Sequence, residues 1–359
     1  MKFPIRFLVA SMLAAGCSQP QKSIVAGDLE SVPSKFTHSP LVKGLYTADP
    51  SAHAFEGNIY IYPSHDIETE VEEDEMGSHF DMKDYHVFSM EEPGGEVTDH
   101  GIALKLEDVP WASRQLWAPD AAEKDGKYYL YFPAKDKADI FKIGVAVSDR
   151  PEGPFTAEPE PIPGTFSMDP AVFPEGEDYF LLFGGIWGGQ LQWYDDQELV
   201  EGRKGPTDGI PADEEKALMP YIAKLDGSMK ALAEKPRELL ILDQSGDPIK
   251  AGDHARRFFE AAWMHKFDGK YYLSYSTGDT HFIVYATGDN PYGPFTYQGK
   301  VLEPVEGWTN HHSIVEFEGK WYLFYHDTEL SGKTPLRNIK MAELTHMPDG
   351  TIRTINPMN

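Results

Sequence analysis

The sequence predicts an all-β fold, a five-bladed β-propeller that forms a single domain over residues 38–359. Three observations predict it. A short aromatic strand motif recurs five times, two of the four intervals between copies are close to 50 residues and the other two fit that period with insertions, and each copy follows a two-residue turn signal. Helical periodicity is weak almost throughout. Five units of this size are typical of small sheets that stack face to face around an axis.

The five strand motifs begin at Ile59, Tyr128, Tyr179, Tyr271 and Trp321. They read IYIY, YYLYF, YFLLF, YYLSY and WYLFY. Because these runs are apolar on both faces, we expect both faces of each strand to be buried. The third interval is 92 residues long, which predicts an insertion in the third blade near residues 195–255. A two-layer β-sandwich, the alternative all-β fold, would not produce such even repeats.

The composition excludes several classes of partner. The 359 residues include 32 Lys and Arg against 58 Asp and Glu, a net charge of −26. This charge argues against nucleic acid and against an anionic membrane surface as the main partner, because both would repel the protein. A neutral substrate would not be repelled. The sequence does not indicate an oligomeric state.

The N-terminus resembles a bacterial lipoprotein signal over residues 1–17. A basic start precedes a short apolar stretch and the string LAAGC, which ends at Cys17. By this resemblance Cys17 is the lipidated first residue of the mature chain, and residues 18–37 form a flexible tether. The protein would then be exported and lipid-anchored in the outer membrane, facing the periplasm or the cell surface. The alternative is an ordinary secretory signal with a stray cysteine.

One position of the repeat predicts where the chemistry lies. Ten residues before the five strand motifs stand Asp49, Ala118, Asp169, Ala261 and His311. The innermost strand of each blade lines the central channel of a propeller, so equivalent positions converge there. Asp49 and Asp169 would meet Glu260, which is one residue out of phase. Crowded carboxyl groups have pKa values that are pushed apart, which lets one serve as an acid and another as a base. Glycoside hydrolysis requires such a pair.

The strings around these positions resemble glycoside hydrolase family 43. They are TADPSAH, LWAPDAAEKDGKYYLYF, SMDPAVF, RFFEAAWMHKFDGKYYLSYSTG and TNHHSIVEFEGKWYLFYHD, and they cover the chain from about 38 to 345. The resemblance implies an inverting hydrolase in which Asp49 is the general base that activates water. Asp169 would orient the acid and raise its pKa, and Glu260 would be the general acid. Inversion requires a base and an acid about 6.5 to 9.5 Å apart.

Further residues are predicted to bind the sugar. Trp117 and Trp187 are expected near the channel mouth, where an indole can stack on a sugar ring. Arg337, in PLRNIK, resembles the substrate-binding arginine of exo-acting members of the family. Asp66, at the end of the first strand motif, is also expected to contact the substrate.

His312 is predicted to contact substrate and to hold an ion on the propeller axis. It resembles an axial histidine that in several family members contacts Ca²⁺ or another cation, directly or through water. A lone histidine is more often a hydrogen-bonded core residue, and Ca²⁺ prefers oxygen ligands, so both interpretations stay open. Hydrolysis itself is expected to require no cofactor. The acidic run from Glu70 to Asp81 predicts a solvated loop.

The leading functional hypothesis is an exo-acting glycosidase that releases xylose or arabinose from oligosaccharides derived from plant or algal polysaccharides such as xylan. We favour β-xylosidase over α-L-arabinofuranosidase, and both over arabinanase. Two hypotheses of other kinds stay open: a surface lipoprotein that binds glycans without cleaving them, and a retaining fructosidase of a related clan. The absence of an NDPNG string argues against the fructosidase.

Overall fold

The structure is a computed structural model that describes residues 34–359. It confirms the predicted fold: apart from three short 3-10 helices, the regular elements of the described residues are 23 β-strands. The helices are Leu106–Asp108, Trp187–Gly189 and Leu191–Trp193. Within this part of the chain no helix has the length and apolar character that a membrane crossing requires.

The strands form five blades and one small hairpin. Blade 1 contains β1 (Tyr46–Phe55), β2 (Asn58–Asp66), β3 (Asp84–Met90) and β4 (Thr98–Lys105). Blade 2 contains β5 (Ala112–Arg114), β6 (Asp120–Lys124), β7 (Lys127–Asp136), β8 (Phe141–Ser148) and β9 (Thr156–Ala157). Blade 3 contains β10 (Ala171–Glu175), β11 (Asp178–Phe183), β14 (Tyr221–Lys224) and β15 (Arg237–Glu238), with β12 (Tyr194–Asp195) and β13 (Glu198–Leu199) as the hairpin. Blade 4 contains β16 (Ile241–Leu242), β17 (Glu260–Phe267), β18 (Lys270–Ser276), β19 (Ile283–Gly288) and β20 (Phe295–Leu302). Blade 5 contains β21 (His312–Phe317), β22 (Lys320–Asp327) and β23 (Asn338–Leu344).

Each predicted strand motif is the second strand of its blade and pairs antiparallel with the innermost strand. The two strands are joined by a two-residue turn in all five blades, as the pairs Phe55 with Asn58 and Lys124 with Lys127 illustrate. Gly57 and Gly126 occupy these turns at φ of +80° and +72°. A two-residue hairpin turn of this kind needs positive φ, which glycine adopts without strain. The same kind of two-residue turn therefore recurs between the innermost strand and the next strand of every blade.

Strand β2 shows why the motifs are apolar on both faces. Tyr60 and Tyr62 belong to a buried cluster shared with blade 2, whereas Ile59 and Ile61 belong to one shared with blade 5. Successive side chains of a strand point to opposite faces. Each blade is therefore covered by its two neighbours, and the core lies between blades.

Hydrogen bonds close the ring between blades 5 and 1. The backbone N–H of Leu41 donates to the carbonyl of Ile339 at 2.9 Å, and that of Thr47 donates to the carbonyl of Arg337 at 2.8 Å. These bonds hold the entry to β1 beside the segment that leads into β23. The closure therefore places Arg337 next to the start of β1, where Asp49 lies.

The compact unit of the chain that contains the propeller begins at Lys35. Residues 35–37, which the sequence assigns to the tether, lie within it. Phe36 forms a β-bridge with Met358, so the first described residues are held by the C-terminal segment. Residues 35–37 therefore belong to the same compact unit as the propeller, and the predicted tether stays a prediction. Cys17 lies outside the described residues.

The long interval between β11 and β18 is divided between two blades. Its first part contributes β14 and β15 to blade 3, and β16 pairs parallel with β20 at the edge of blade 4. The insertion is thus part of the sheet scaffold.

Candidate active site

The carboxylates at the axis stand where the innermost strands break their regular geometry. Asp49, Asp169 and Ala261 have φ of +49°, +54° and +60°, in the left-handed region. In β1 and β17 the pairing register shifts at these points. A bulge of this kind redirects side chains toward a site. In blade 4 Ala261 takes this left-handed position, and the cavity is lined by the residue before it, Glu260.

A cavity of about 490 Å³ opens at this end of the axis. It is lined by all three predicted carboxylates, Asp49, Asp169 and Glu260. All three are buried in the surrounding protein. A volume in this range is typical of small-molecule sites. The structure therefore brings together groups from blades 1, 3 and 4, of which Asp49 and Glu260 are more than 200 residues apart in sequence.

Asp49 is held as a charged carboxylate. Its Oδ1 accepts a hydrogen bond from Nη1 of Arg337 at 3.0 Å, and its Oδ2 accepts one from the hydroxyl of Ser64 at 2.7 Å. Burial, the largest single influence, would raise the pKa of Asp49, but the Arg337 cation, the two nearby histidines and the hydrogen bond from Ser64 together outweigh it, and the pKa falls to about 2. Asp49 is therefore ionised at every pH at which the protein would work.

A neutral histidine fixes the backbone of Asp49. The N–H of Asp49 donates to Nδ1 of His326 at 3.0 Å. The other ring nitrogen of His326 must then carry its proton, and it lies 3.0 Å from the carbonyl oxygen of Thr309. Burial lowers the pKa of His326 to about 3. Since this ring is neutral near pH 7, Arg337 is the cation that sets the charge state of Asp49.

Asp66 and Arg337 form a buried ion pair behind the base. Nε and Nη2 of Arg337 donate to the two oxygens of Asp66 at 2.9 and 2.8 Å. Such a bidentate pair fixes the plane of the guanidinium. Arg337 lines the cavity, as predicted, but Asp66 is not among the lining residues. The predicted contact of Asp66 with substrate stays a prediction: in this structure Arg337 occupies both of its oxygens, so Asp66 acts as a positioning residue.

Asp169 and Glu260 lie in a different environment. Oδ2 of Asp169 accepts a hydrogen bond from the backbone N–H of Ala261 at 2.9 Å. Burial raises the pKa of Asp169 to about 6. Burial also raises the pKa of Glu260 well above its ordinary value, and the charges of Asp169 and Asp49 raise it further. Glu260 is therefore a carboxyl group that keeps its proton, as a general acid must.

The two predicted tryptophans line the cavity. The indole N–H of Trp117 donates to the carbonyl of Phe80 at 2.8 Å. The ring of Trp187 lies 5.5 Å from that of Phe259 and 5.6 Å from that of Trp308, which also line the cavity. An aromatic wall of this kind offers flat apolar faces to a sugar ring. Trp308 and Phe80 were not identified as site residues from the sequence.

The acidic run, predicted as a solvated loop, forms part of the cavity wall. Glu73, Asp74 and Glu75 all line it. Oδ1 of Asp74 accepts the backbone N–H groups of Met76 and Ser78 at 3.0 and 2.8 Å. The prediction was incomplete because loop paths depend on distant contacts that a local pattern does not contain.

Two glycines allow this loop to approach the cavity closely. A Cβ at Gly77, which has φ of +71°, would lie 2.9 Å from the ring of Trp117. A Cβ at Gly188 would lie 2.9 Å from the carbonyl oxygen of Met76. Both distances are shorter than a carbon side chain tolerates. The acidic loop is thus packed against the tryptophans.

The structure places the two adjacent histidines in different environments. His312 is fully buried, is not a lining residue, and its Nε2 lies 2.6 Å from the hydroxyl of Ser274. The predicted contact of His312 with substrate stays a prediction, and in this structure the side chain lies outside the cavity wall. His311 lines the cavity instead, with Nδ1 3.9 Å from Asp49 and 3.8 Å from Asp169. Strand β21 begins at His312, whose side chain faces inward, so its neighbour faces the cavity.

His312 nevertheless keeps one ring nitrogen available. Its Nδ1 is buried and has no hydrogen-bond partner among the described residues. Burial lowers the pKa of His312 well below its ordinary value, so the ring is neutral, and in the tautomer that donates from Nε2 to Ser274 the lone pair of Nδ1 is free. A single imidazole fits a cation that is otherwise held by water, since Ca²⁺ takes six to eight mainly oxygen ligands.

This arrangement contains the parts of an acid–base hydrolase. An ionised carboxylate with a low pKa and a protonated carboxyl with a raised pKa line one cavity, and a third carboxylate with a raised pKa lies beside the acid. When two carboxyl groups have separated pKa values, the group with the lower pKa is suited to act as the base and the group with the higher pKa as the acid. Aromatic faces and a fixed guanidinium surround them.

A sequence profile described as Glycosyl hydrolases family 43 matches residues 38–352. The chain belongs to glycoside hydrolase family 43. Among the curated family 43 relatives, xylosidase/arabinosidase 43A from Humicola insolens is 58% identical over 329 residues, which are 89% of this chain and 99% of the relative. The protein is therefore a glycosidase of this family.

Solved structures agree with this assignment. A family 43 β-xylosidase/α-arabinofuranosidase from a compost microbial metagenome, in complex with xylotriose and described as a calcium-free form, is 64% identical with a TM-score of 0.88. The alignment covers 91% of this chain and 99% of that one. A family 43 enzyme from Xanthomonas citri, also complexed with xylotriose, is 57% identical with a TM-score of 0.85, over 90% and 94% of the two chains.

Proposed function

We propose that this family 43 enzyme is an inverting, exo-acting β-xylosidase that also removes α-L-arabinofuranosyl groups. The observation that carries the proposal is the separation of charge states among its carboxyl groups: Asp49 is ionised, and Glu260 is protonated. A hydrolase that inverts needs a base to activate water and an acid on the opposite side of the bond.

In the proposed mechanism Asp49 takes a proton from the attacking water, and Glu260 gives its proton to the leaving glycosidic oxygen. The water oxygen forms the new bond to the anomeric carbon as the bond to the leaving oxygen breaks. Arg337 keeps Asp49 unprotonated before the step, and its contact with Asp66 fixes its direction. Asp169 helps keep Glu260 protonated through like-charge repulsion.

The sugar preference is supported by relatives rather than by a single residue. The relative from Humicola insolens is described as both xylosidase and arabinosidase, and the compost enzyme as both β-xylosidase and α-arabinofuranosidase. Complexes of two neighbours with xylotriose support a xylo-oligosaccharide as the substrate. The groups at the base of the cavity are buried, and Arg337 is fully enclosed. This arrangement favours binding of the end of a sugar chain, which is the basis of the exo-acting assignment.

The test is hydrolysis of aryl β-xylosides, aryl α-L-arabinofuranosides and xylotriose, followed by proton NMR. We expect α-xylose as the first product from a β-xyloside, because inversion changes the anomer. β-Xylose as the first product would contradict the inverting mechanism and would favour the retaining alternative. Binding of xylotriose without hydrolysis would favour the glycan-binding alternative.

We further propose that hydrolysis proceeds without a cofactor and that a cation binds on the axis with His312 as its protein contact. When bound, a cation would add positive charge on the propeller axis beside His312. Activity is measured after dialysis against EDTA and again with added Ca²⁺. Complete and reversible loss of activity in EDTA would contradict the first part. An equal response to Ca²⁺ in the wild type and in His312→Gln would contradict the second.

We also propose that the chain is exported and anchored through a lipid on Cys17, with the membrane contacted only through that anchor. The support is the signal-like order of residues 1–17. Metabolic labelling with a radioactive fatty acid is expected to mark the wild type and not Cys17→Ala. Labelling of both would overturn the proposal. Fractionation of the labelled cells then tests the outer-membrane location.

A further inference from the structure

Three side chains of blade 1 form a cluster that the hydrolytic step does not use. His65 is on β2, and Asp84 and His86 are on β3. Their candidate ligand atoms all lie within 4.8 Å of one another. Nδ1 of His65 is 2.6 Å from Oδ1 of Asp84, and Nε2 of His86 is 4.0 Å from the same oxygen. The three side chains are 12–20% exposed, so the cluster is shielded and can still be reached from solvent.

The register of the blade explains why these residues meet. Strand β2 pairs antiparallel with β3, with Ile61 opposite Phe88. The same register, continued along both strands, brings His65 opposite Asp84 and places His86 two residues further along β3. Residues two apart in a strand share one face. The sheet therefore presents the three side chains on one face, on two neighbouring strands.

The tautomer of His86 is set by a further carboxylate. Nδ1 of His86 lies 3.0 Å from Oδ1 and 3.3 Å from Oδ2 of Asp99, on β4. A neutral His86 that donates from Nδ1 keeps a lone pair on Nε2, the atom that faces Asp84. Histidines that bind metals almost always donate their second ring N–H to a carboxylate, carbonyl or water in this way. The Asp99 contact is thus independent support for a ligand role of His86.

We propose that His65, Asp84 and His86 bind a divalent transition-metal ion of the zinc class, with water as the fourth ligand. Two imidazoles and one carboxylate are a donor set typical of three-ligand zinc sites. Ligands about 2.0 to 2.2 Å from a tetrahedral ion are about 3.3 to 3.6 Å from each other. The 2.6 Å separation must widen and the 4.0 Å separation must shorten, each by less than the reach of a side-chain rotation. The competing interpretation is a His65–Asp84 ion pair without metal.

The site lies directly behind the machinery of the base. His65 precedes Asp66 in β2, and consecutive side chains of a strand point to opposite faces. Asp66 contacts Arg337 on one side, while His65 contacts Asp84 on the other. Because Pro63 has no backbone N–H, it cannot donate a hydrogen bond to a neighbouring strand at this end of β2. A bound ion would therefore hold together the ends of β2 and β3 next to Asp66.

The test is titration of the full-length, EDTA-dialysed protein with Co²⁺, followed by displacement with Zn²⁺. We expect the wild type to bind one more Co²⁺ than His65→Gln or His86→Gln, with the visible absorption of tetrahedral Co²⁺. Asp99→Asn should weaken this binding about 10- to 100-fold, as loss of an outer-shell partner does. His100→Gln is the matched control, because His100 is on β4 but contacts Ser89 instead, and it should bind Co²⁺ as the wild type does.

Equal Co²⁺ stoichiometry and spectra in the wild type, His65→Gln and His86→Gln would overturn the proposal. A second measurement needs no variant: diethylpyrocarbonate labelling of wild-type histidines with and without Zn²⁺, read by mass spectrometry. Zn²⁺ should slow labelling of His65 and His86 and leave His100 unchanged. Equal labelling of His65 and His86 under both conditions would also overturn the proposal. Added Ca²⁺, which prefers oxygen ligands, should not displace Co²⁺ from this site.

Discussion

On the side of the cavity formed by blades 1 and 5, Asp49 accepts hydrogen bonds from Arg337 and Ser64, and its pKa is lowered to about 2. On the side formed by blades 3 and 4, Asp169 and Glu260 have no cation in hydrogen-bond contact, and burial raises the pKa of both. Asp49 and Asp169 come from one phase of the same repeat, and Glu260 stands one residue before that phase. The difference teaches that the neighbours of a carboxyl group, rather than its position in the repeat, decide whether it is a base or an acid.

The largest expected effect on activity comes from replacing Asp49 and Glu260, whose pKa values are shifted in opposite directions. Glu260→Gln and Asp49→Asn should each lower kcat/KM on xylotriose by about 10²- to 10⁴-fold, the range for loss of general acid or base assistance. Aryl xylosides with good leaving groups should restore much of the rate of Glu260→Gln and little of that of Asp49→Asn. Steady-state kinetics on a series of aryl xylosides gives the comparison.

The control for both variants is binding of xylotriose by calorimetry, which should persist because neither change removes the aromatic wall. The assignment of acid and base would be reversed if Asp49→Asn, rather than Glu260→Gln, recovered with a good leaving group.

Removing Asp169, the third carboxylate, should bring the pKa of Glu260 closer to that of an ordinary glutamate. Asp169→Asn deletes a charge that raises the pKa of Glu260, so Glu260 would lose its proton at lower pH. The alkaline limb of the kcat/KM profile should move to lower pH, and the maximal rate should fall about a hundredfold, the low end for acid–base effects. The exposed variant Asp149→Asn is the control. An unmoved alkaline limb would show that Asp169 does not set the pKa of the acid.

Two variants at Arg337 separate the effect of its positive charge on Asp49 from the effect of its fixed orientation. Arg337→Lys keeps a cation but loses the bidentate contact with Asp66, so it should lower kcat/KM about 10- to 100-fold, as loss of a charged hydrogen bond does. Its acidic limb should stay near that of the wild type. The double variant Asp66→Asn/Arg337→Gln removes the cation, so the pKa of Asp49 rises and the acidic limb moves to higher pH. Identical acidic limbs in the two variants would contradict this account.

The smallest effect is on stability. Because the pKa of Glu260 is raised in the folded protein, its contribution to stability is present below the pKa of an unfolded glutamate, about 4.3, and is lost as the pH rises through the folded value. Glu260→Gln cannot ionise and should therefore raise Tm by about 1–3 °C at about pH 9. The same comparison at about pH 4 should show a much smaller gain. A larger gain at the acidic pH would contradict the sign of the shift.

The sequence predicted the features that local chemistry determines. The five strand motifs were identified because each follows a two-residue turn with its own residue signal. Asp49 and Asp169 were found because the phase of the repeat places equivalent residues at the axis. Glu260 was found one residue out of phase, directly before Ala261, which takes the positive φ in its blade.

The sequence could not predict features that depend on side-chain direction or on distant contacts. His311 and His312 are adjacent, and only the start of β21 at His312 decides which one faces the cavity. Asp66 and Arg337 are separated by 271 residues, so their pairing has no local signal. The acidic loop reaches the cavity because Trp117 and Gly188 accept it closely. Each is a contact between segments that are remote in sequence.

The left-handed residues at Asp49, Asp169 and Ala261 have a consequence for protein engineering. Regular strands alternate their side chains with a period of two, so straightening one of these positions would turn the following residues to the opposite face. A designer who transfers the three carboxylates to an idealised propeller with perfect strands would copy the residues and lose the site. The irregular backbone must be transferred with them, although it lowers the stability of the scaffold.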